Sequence, residues 1–151
     1  MPTFEYQTLP KEQIAESQLA VALEFYLQGR EYPAVITLAG AAEEILGKLA
    51  KTRGLKPALT QTIDGLCEIY EFVWGEKANP KDFADLRNRA RNEMKHLCNG
   101  EDVVVDLQLE AAGLLERALD NYALCFKQQH SLRFKFGLKL NENWRKKSMV
   151  G

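Results

Sequence analysis

Apolar residues recur every three or four positions in five segments of the chain, which is the spacing of one face of an α-helix. The first helix is predicted to open at Thr8-Leu9-Pro10 and to run to Gln28, where Gly29 suits its end. The second begins at Pro33 and ends before Gly54. Its small-residue run, Ala39 to Ala42, predicts that a neighbouring element approaches it closely.

Three further helices follow. The third is predicted from Leu59 to Val73, and the fourth starts at Asn79-Pro80, with Asn99-Gly100 as a typical stop. The fifth begins around Asp102, a plausible cap, and runs to about Gln129. Its length would be roughly 40 Å at about 1.5 Å per residue, longer than its partners.

The pattern also predicts which side of these helices faces the core. On the third helix the inward residues are expected to be Ile63, Leu66, Cys67, Ile69, Tyr70 and Trp74. On the fourth they are Phe83, Leu86, Ala90, Met94 and Leu97. Short connections between helices with apolar faces favour antiparallel neighbours. The sequence therefore predicts an all-α fold, an up-and-down bundle of four to five helices over residues 1–130.

The tail, residues 131–151, has a different pattern. Apolar residues from Phe134 to Leu140 alternate with polar or small ones, a period of two that predicts an extended segment. A single strand must lie on the bundle, pair with another chain or stay mobile. The tail contains six basic residues and one acidic residue, Glu142, so its charge is +5, whereas residues 1–130 carry -6.

Composition narrows the class of protein. The 151 residues suit one domain, and a net charge of -1 excludes a uniformly basic surface. The longest apolar run without a charge, Tyr32 to Ala42, is far shorter than the ~20 residues of a membrane span, and residues 1–10 do not resemble a signal peptide. We expect no membrane contact and a cytoplasmic location. Three widely spaced cysteines, Cys67, Cys98 and Cys125, indicate reduced thiols.

The common catalytic motifs are absent from the sequence. It has no phosphate-binding glycine loop, no dinucleotide fingerprint, no paired-cysteine zinc pattern and no metalloprotease histidine pair, so no cofactor and no metal is expected. His96 and His130 are the only imidazoles, and His130 is expected at the surface. Because His96 ends the most charged stretch of the bundle, residues 87–96, candidate chemistry belongs there.

Two edges of the fourth helix carry these polar groups. At about 100° per residue from the first residue of its core stripe, Arg89, Asn92 and His96 fall at about 240°, 180° and 220°, away from the core. Arg91 and Lys95 fall at about 80° and 120°, on the other flank. An imidazole can exchange a proton with a ribose hydroxyl, a guanidinium can hold phosphate oxygens, and an amide can orient either. These groups suit metal-free phosphodiester cleavage.

The stretch Arg91-Asn92-Glu93-Met94-Lys95-His96 resembles the signature of the HEPN superfamily. In that signature a polar residue follows an arginine, and four to six residues lie between the arginine and a histidine. The segment Ala41 to Leu46 is similar to the small-residue and acidic segment of many members. The resemblance covers roughly residues 10 to 128 and leaves the tail unexplained. It implies a small helical bundle and, in active members, a homodimer in which two motifs meet and cut RNA without a metal.

The candidate site follows from this resemblance and from the charge pattern. The candidate catalytic residues are Arg91, Asn92 and His96, and the candidate RNA-binding residues are Arg87, Arg89 and Lys95. Because Arg91 and His96 lie about 140° apart on a straight helix, a frayed helix end or a partner copy must bring them together. The expected product is a 2′,3′-cyclic phosphate.

Other interpretations stay open. The chain could be a non-catalytic interaction or RNA-binding module, or a toxin silenced by a nucleotidyltransferase antitoxin. Lys95 and His96 could simply be cations that favour the last turn of a helix. Glu43 and Glu44 could hold an arginine of the fourth helix, although the favoured interpretation is that they are exposed acids.

Overall fold

The computed structural model describes residues 1, 3–96 and 102–150. In these ranges the chain forms six α-helices and no strand: α1 Lys11–Leu27, α2 Tyr32–Thr52, α3 Ala58–Trp74, α4 Pro80–Lys95, α5 Leu107–Phe126 and α6 Arg133–Val150. The predicted all-α class is confirmed, but the described helices number six rather than four to five. None of the described helices is long and apolar enough to cross a membrane.

The core lies where α2 packs between α1 and α5. One face of α1 is fully buried and consists of Ala15, Leu19, Ala22, Leu23 and Tyr26. α2 contains several small residues, including Ala39, Gly40, Ala42 and Gly47, all buried against its neighbours. Small side chains let neighbouring helices approach closely, as the run Ala39 to Ala42 predicted.

The bounds of α1, α2 and α3 and the start of α4 agree with the sequence prediction to within about two residues, as expected of helix ends. The local signals act as predicted: Asn79 caps α4 by accepting a hydrogen bond from the backbone N–H of Lys81. Gly75 follows α3 with a φ of 68°, a left-handed conformation that costs glycine little. The predicted stop Asn99-Gly100 lies outside the described residues.

The predicted start of α5 is wrong. The helix begins at Leu107 rather than around Asp102, and its cap is Asp106, whose carboxylate accepts from the backbone N–H of Leu109 at 3.0 Å. The valines 103–105 precede this cap, and β-branched residues disfavour the helix. With 20 residues α5 spans about 30 Å instead of 40 Å.

The predicted extended tail is also wrong, because residues 133–150 form α6. Phe136 is fully buried with its ring 5.3 Å from that of Tyr26, and the amide of Asn143 donates to the Tyr26 hydroxyl at 3.2 Å. Phe134 and Leu138 are exposed. The inner face therefore follows helical spacing through positions 136, 140 and 143, and the alternation of apolar residues is a coincidence of two helical faces.

The hairpin of α3 and α4 lies at the edge of the bundle. Only Ala58 of α3 and Ala90 of α4 are buried among the described residues of these helices. The residues predicted to face inward are mostly half-buried, and three are exposed: Ile69, Trp74 and Leu86. Leu97, the last predicted core residue of the fourth helix, lies outside the described residues. The outer side of the hairpin therefore has an apolar pattern, and none of the described residues covers it.

Candidate functional site

The predicted site residues lie on α4 or directly after it. Arg87, Arg89, Asn92, Lys95 and His96 are exposed, whereas Arg91 is mostly buried. The exposure of Arg89, Asn92 and His96 agrees with their predicted positions away from the core. His96 is the first residue beyond α4, with an extended backbone, and its backbone N–H donates to the oxygen of Asn92 at 3.0 Å.

Arg91 crosses from α4 to α2 through a notch at Gly40. A Cβ placed on Gly40 would lie 2.6 Å from both Cγ and Cδ of Arg91, closer than such atoms can approach. The close approach predicted for the small-residue run is therefore made in part by the aliphatic stem of this arginine. Beyond the notch, Nη1 of Arg91 lies 3.5 Å from Oε2 of Glu43 and 3.9 Å from Oε2 of Glu44.

Glu43 is buried, which corrects the interpretation that both acids of this segment are exposed. The reason is that α4 and α5 cover this side of α2. Its second oxygen, Oε1, lies 3.6 Å from Nε of Arg117 on α5, so one carboxylate lies between two guanidinium groups. Glu44 is half-buried and accepts a hydrogen bond from Lys48 at 2.9 Å, one turn further along α2.

Burial raises the pKa of Glu43 above its ordinary value, although Arg117 and Arg91 act in the opposite direction. The two guanidinium groups lie 3.5 Å and 3.6 Å away, longer than the ~2.8 Å of a charge-assisted hydrogen bond, so their attraction only partly offsets the loss of water. Burial likewise lowers the pKa of Arg117, which stays charged at neutral pH. Hydrogen bonding to Lys48 lowers the pKa of Glu44.

Two asparagines complete this polar cluster. The Oδ1 of Asn88 accepts from Nη2 of Arg117 at 3.4 Å. Asn121 is fully buried: its amide donates to the backbone oxygen of Glu43 at 3.2 Å and its Oδ1 accepts from the backbone N–H of Ala58 at 2.8 Å. We call Asn88, Arg91, Glu43, Arg117 and Asn121 the arginine–glutamate cluster. It joins α2, α3, α4 and α5.

Sequence reasoning missed Arg117, Asn121 and Asn88. A signal was present in α5, where positions 114, 117 or 118, and 121 follow the inner face at helical spacing. Polar residues at such core positions must find partners inside the protein, because an unpaired buried polar group is costly. Arg117 and Asn121 could therefore have been identified as partners of another buried polar group.

A groove of about 200 Å³ lies beside Arg91, between α2, α4 and the start of α3. Its walls include Lys48, Lys51 and Thr60 as well as Glu44. The Nε of Arg91 is buried and has no hydrogen-bond acceptor among the described residues. The groove thus combines cations that can bind phosphate with a carboxylate that competes for them.

The other imidazole, His130, and the thiol of Cys125 are packed inside the protein. His130 is buried rather than at the surface as expected: its Nδ1 accepts from the backbone N–H of Leu132, its ring packs against Tyr122, and burial lowers its pKa. Cys125 is buried, with its thiol donating to the oxygen of Leu46, and burial raises its pKa. Cys67 is half-buried, and Cys98 lies outside the described residues.

No three His, Cys, Asp or Glu side chains converge to form a candidate metal site in residues 1, 3–96 and 102–150. Comparisons of the chain with family models, with curated proteins and with solved structures give no match in any of the three.

Proposed function

We propose that this protein is a HEPN-like helical domain that cleaves RNA without a metal, as a homodimer in which Arg91, Asn92 and His96 form the site. The observation that carries the proposal is the arrangement around α4. Arg91 is held in one position by the Gly40 notch and the Glu43 carboxylate, while Asn92 and His96 are exposed to a substrate or a second copy. A positioned guanidinium is what phosphoryl transfer needs, and in the proposed dimer a second copy brings the exposed imidazole and amide to it.

The proposed reaction is an internal transesterification. The ribose 2′-oxygen attacks the adjacent phosphorus and loses its proton to His96, and the bond from phosphorus to the 5′-oxygen breaks as that oxygen takes a proton from water. The resulting hydroxide is neutralised by the proton that His96 releases. Arg91 stabilises the negative charge that develops on the phosphorane, and Asn92 orients the phosphate or the hydroxyl. The products are a 2′,3′-cyclic phosphate and a 5′-hydroxyl end. Arg87, Arg89 and Lys95 are the proposed contacts to the RNA backbone.

The test is incubation of the purified protein with single-stranded RNA in the presence of a chelator. We expect cleavage with a 2′,3′-cyclic phosphate detected by mass spectrometry, and a loss of about 10²- to 10⁴-fold in rate for His96→Ala. Lys81→Ala, an exposed cation in the first turn of α4, is the control and should cleave normally. Full activity in His96→Ala, or no cleavage by the wild type over a range of RNAs and pH, would contradict the proposal.

A second candidate function is a non-catalytic interaction module. The observation that favours it is that Arg91 already has two carboxylate neighbours, Glu43 and Glu44, so its charge has a structural use. In that case Arg91→Lys would change the stability of the protein, and neither the wild type nor any variant would cleave RNA. A toxin role with a nucleotidyltransferase antitoxin stays a prediction, which the neighbouring reading frames of the gene would test.

A further inference from the structure

The α3–α4 hairpin exposes five large apolar side chains. Ile69, Phe72 and Val73 share one face of α3 within about 100°, and we call them, with the exposed Trp74 and Leu86 of the same hairpin, the α3 patch. Their exposed fractions run from 59% for Val73 to 91% for Phe72. Single exposed apolar residues are common, but five large ones on one hairpin, three of them on one face of α3, favour a contact site.

The surroundings of the α3 patch are acidic. Residues 64–86 contain six acidic side chains, Asp64, Glu68, Glu71, Glu76, Asp82 and Asp85, and two basic ones, Lys77 and Lys81, so this segment carries a charge of -4. A partner for this surface should therefore combine apolar side chains with positive charge.

The outer side of α6 has these two properties. Measured from the buried Phe136, the residues Phe134, Leu138, Arg145 and Met149 fall at about 160°, 200°, 180° and 220°, opposite the face that packs on the bundle. Phe134, Leu138 and Met149 are 75%, 56% and 87% exposed. We call these four residues the α6 stripe. The helix carries six basic residues and one acidic residue, a charge of +5. Four of these cations pair with carboxylates of the same chain, and Arg145 lies in the stripe itself.

We propose that the α6 stripe of one copy of this protein docks on the α3 patch of a second copy. Both surfaces are exposed within a single chain, so neither covers the other. Phe134 and Leu138 are one helical turn apart, as are Ile69 and Val73, so two apolar contacts can form side by side. The opposite charges around the two surfaces attract the copies and exclude a pairing of like surfaces.

A second copy explains more than other partners do. RNA or an anionic membrane would account for the basic residues of α6, but neither would cover the apolar side chains of the α3 patch. A second copy uses both surfaces, because every chain carries the two complementary halves. The contact involves α3 and α6 and is independent of any chemistry at Arg91 or His96.

The test measures the molar mass of the full chain in solution by light scattering after size exclusion. We expect the wild type to associate, and to associate more weakly as salt rises, because salt screens the charges. Phe72→Asp on the α3 patch and Leu138→Asp on the α6 stripe should each weaken association about tenfold or more. Tyr6→Asp, at an equally exposed aromatic residue elsewhere, should have no effect. Circular dichroism confirms that each variant stays folded.

Mixing the two variants decides which surfaces meet. The Phe72→Asp chain keeps its α6 stripe and the Leu138→Asp chain keeps its α3 patch, so the mixture should recover association that neither variant shows alone. If Leu138→Asp alone associates more than the Phe72→Asp/Leu138→Asp double variant, the contact joins two α3 patches, and if Phe72→Asp alone does, it joins two α6 stripes. Either result overturns the proposal, as does a monomeric wild type, including one whose α6 stripe binds RNA or anionic vesicles instead. Association that the double variant keeps belongs to the α4 dimer of the proposed function. Loss of RNA cleavage with association intact would contradict only the nuclease.

Discussion

At the scale of single residues, Arg117 determines how well a buried acid is tolerated. Its side chain is only 5% exposed and lies between Glu43 and Asn88. Taking a charge out of water costs several kcal/mol, and a partner offsets this only while it is in place. Without Arg117, Glu43 would keep Arg91 as its nearest remaining cation in the cluster.

We expect Arg117→Met to lower the free energy of unfolding by about 3–5 kcal/mol at neutral pH, because it leaves a buried carboxylate poorly compensated. Arg87→Met, the same change at an exposed arginine of α4, should cost less than about 1 kcal/mol. Adding Glu43→Gln to Arg117→Met should recover part of the loss. Urea unfolding followed by circular dichroism measures all three. Equal losses at positions 117 and 87 would show that the cluster does not stabilise the fold.

Glu43 also predicts how stability depends on pH. Because its pKa is raised in the folded protein, the native state binds more protons than the unfolded state above its ordinary value of 4.5. The contribution of Glu43 to the free energy of unfolding should therefore fall as pH rises from about 4.5 through the raised pKa, whereas the lowered pKa of His130 makes stability rise with pH up to its ordinary value of 6.5. The lowered pKa of Glu44 and Asp106 acts at more acidic pH, where stability is lost as pH falls.

In Glu43→Gln the fall that Glu43 causes above about pH 4.5 should be absent, while the acidic loss remains. Unfolding in urea at a series of pH values gives both profiles. Identical profiles for the wild type and Glu43→Gln would show that another group titrates in this range.

The candidate residues Arg87 to His96 could be found from the sequence because a dense run of charges on one helix is visible without a fold. The partners Glu43 and Arg117 could not, since burial of a charged residue depends on which helices cover it. Glu43 lies next to Glu44 in the sequence, yet the side chain of Glu43 is buried and that of Glu44 is half-buried. Helical position alone distinguishes them only once α4 and α5 have been placed.

At the scale of elements, α6 shows how a short pattern misleads. Phe134 and Phe136 would share one face of a strand but lie on nearly opposite faces of a helix. We expect Phe136→Ala to destabilise the protein by about 3–5 kcal/mol, because it removes a buried ring packed on Tyr26. Phe134→Ala should change stability by about 0.5 kcal/mol or less. Thermal and urea unfolding compare the pair, and similar losses at both positions would argue for an extended tail.

The helix bounds that the sequence predicted well are those with strong local punctuation, such as Asn79-Pro80 before α4 and Gly75 after α3. The start of α5 was missed because two aspartates, Asp102 and Asp106, are equally good caps, and the valines between them decide the choice. The tail was missed because Asn143, a polar residue, occupies part of its inner face. No apolar periodicity marks such a position.

At the scale of the whole molecule, the helices differ in how well they are packed. The core lies along α2 and α5 with α1, whereas α3 and α4 each contribute one buried residue among those described. The local opening of helices with few buried contacts costs less free energy than the global unfolding of the domain. The sequence could not predict this difference, because α3 has as many apolar residues as a buried helix needs.

We expect native-state hydrogen exchange to be slowest in α2 and α5 and clearly faster in the second half of α3 and in α4. Mass spectrometry of peptic fragments measures this at a protein concentration low enough to keep the copies apart. Raising the concentration should slow exchange in α3 and α6 together if these helices dock between copies. Equal protection of all six helices would mean that the hairpin is as firmly held as the core.

The notch at Gly40 has a consequence for how this sequence can diverge. The stem of Arg91 fills the space that a β-carbon at position 40 would need. A larger residue at position 40 is therefore compatible with this approach of α2 and α4 only if residue 91 becomes shorter. Glycine is needed at position 40 because the side chain at position 91 is long. In related chains the two positions should change together, so that glycine at one and arginine at the other mark the sequences that keep this helix pair and its buried carboxylate.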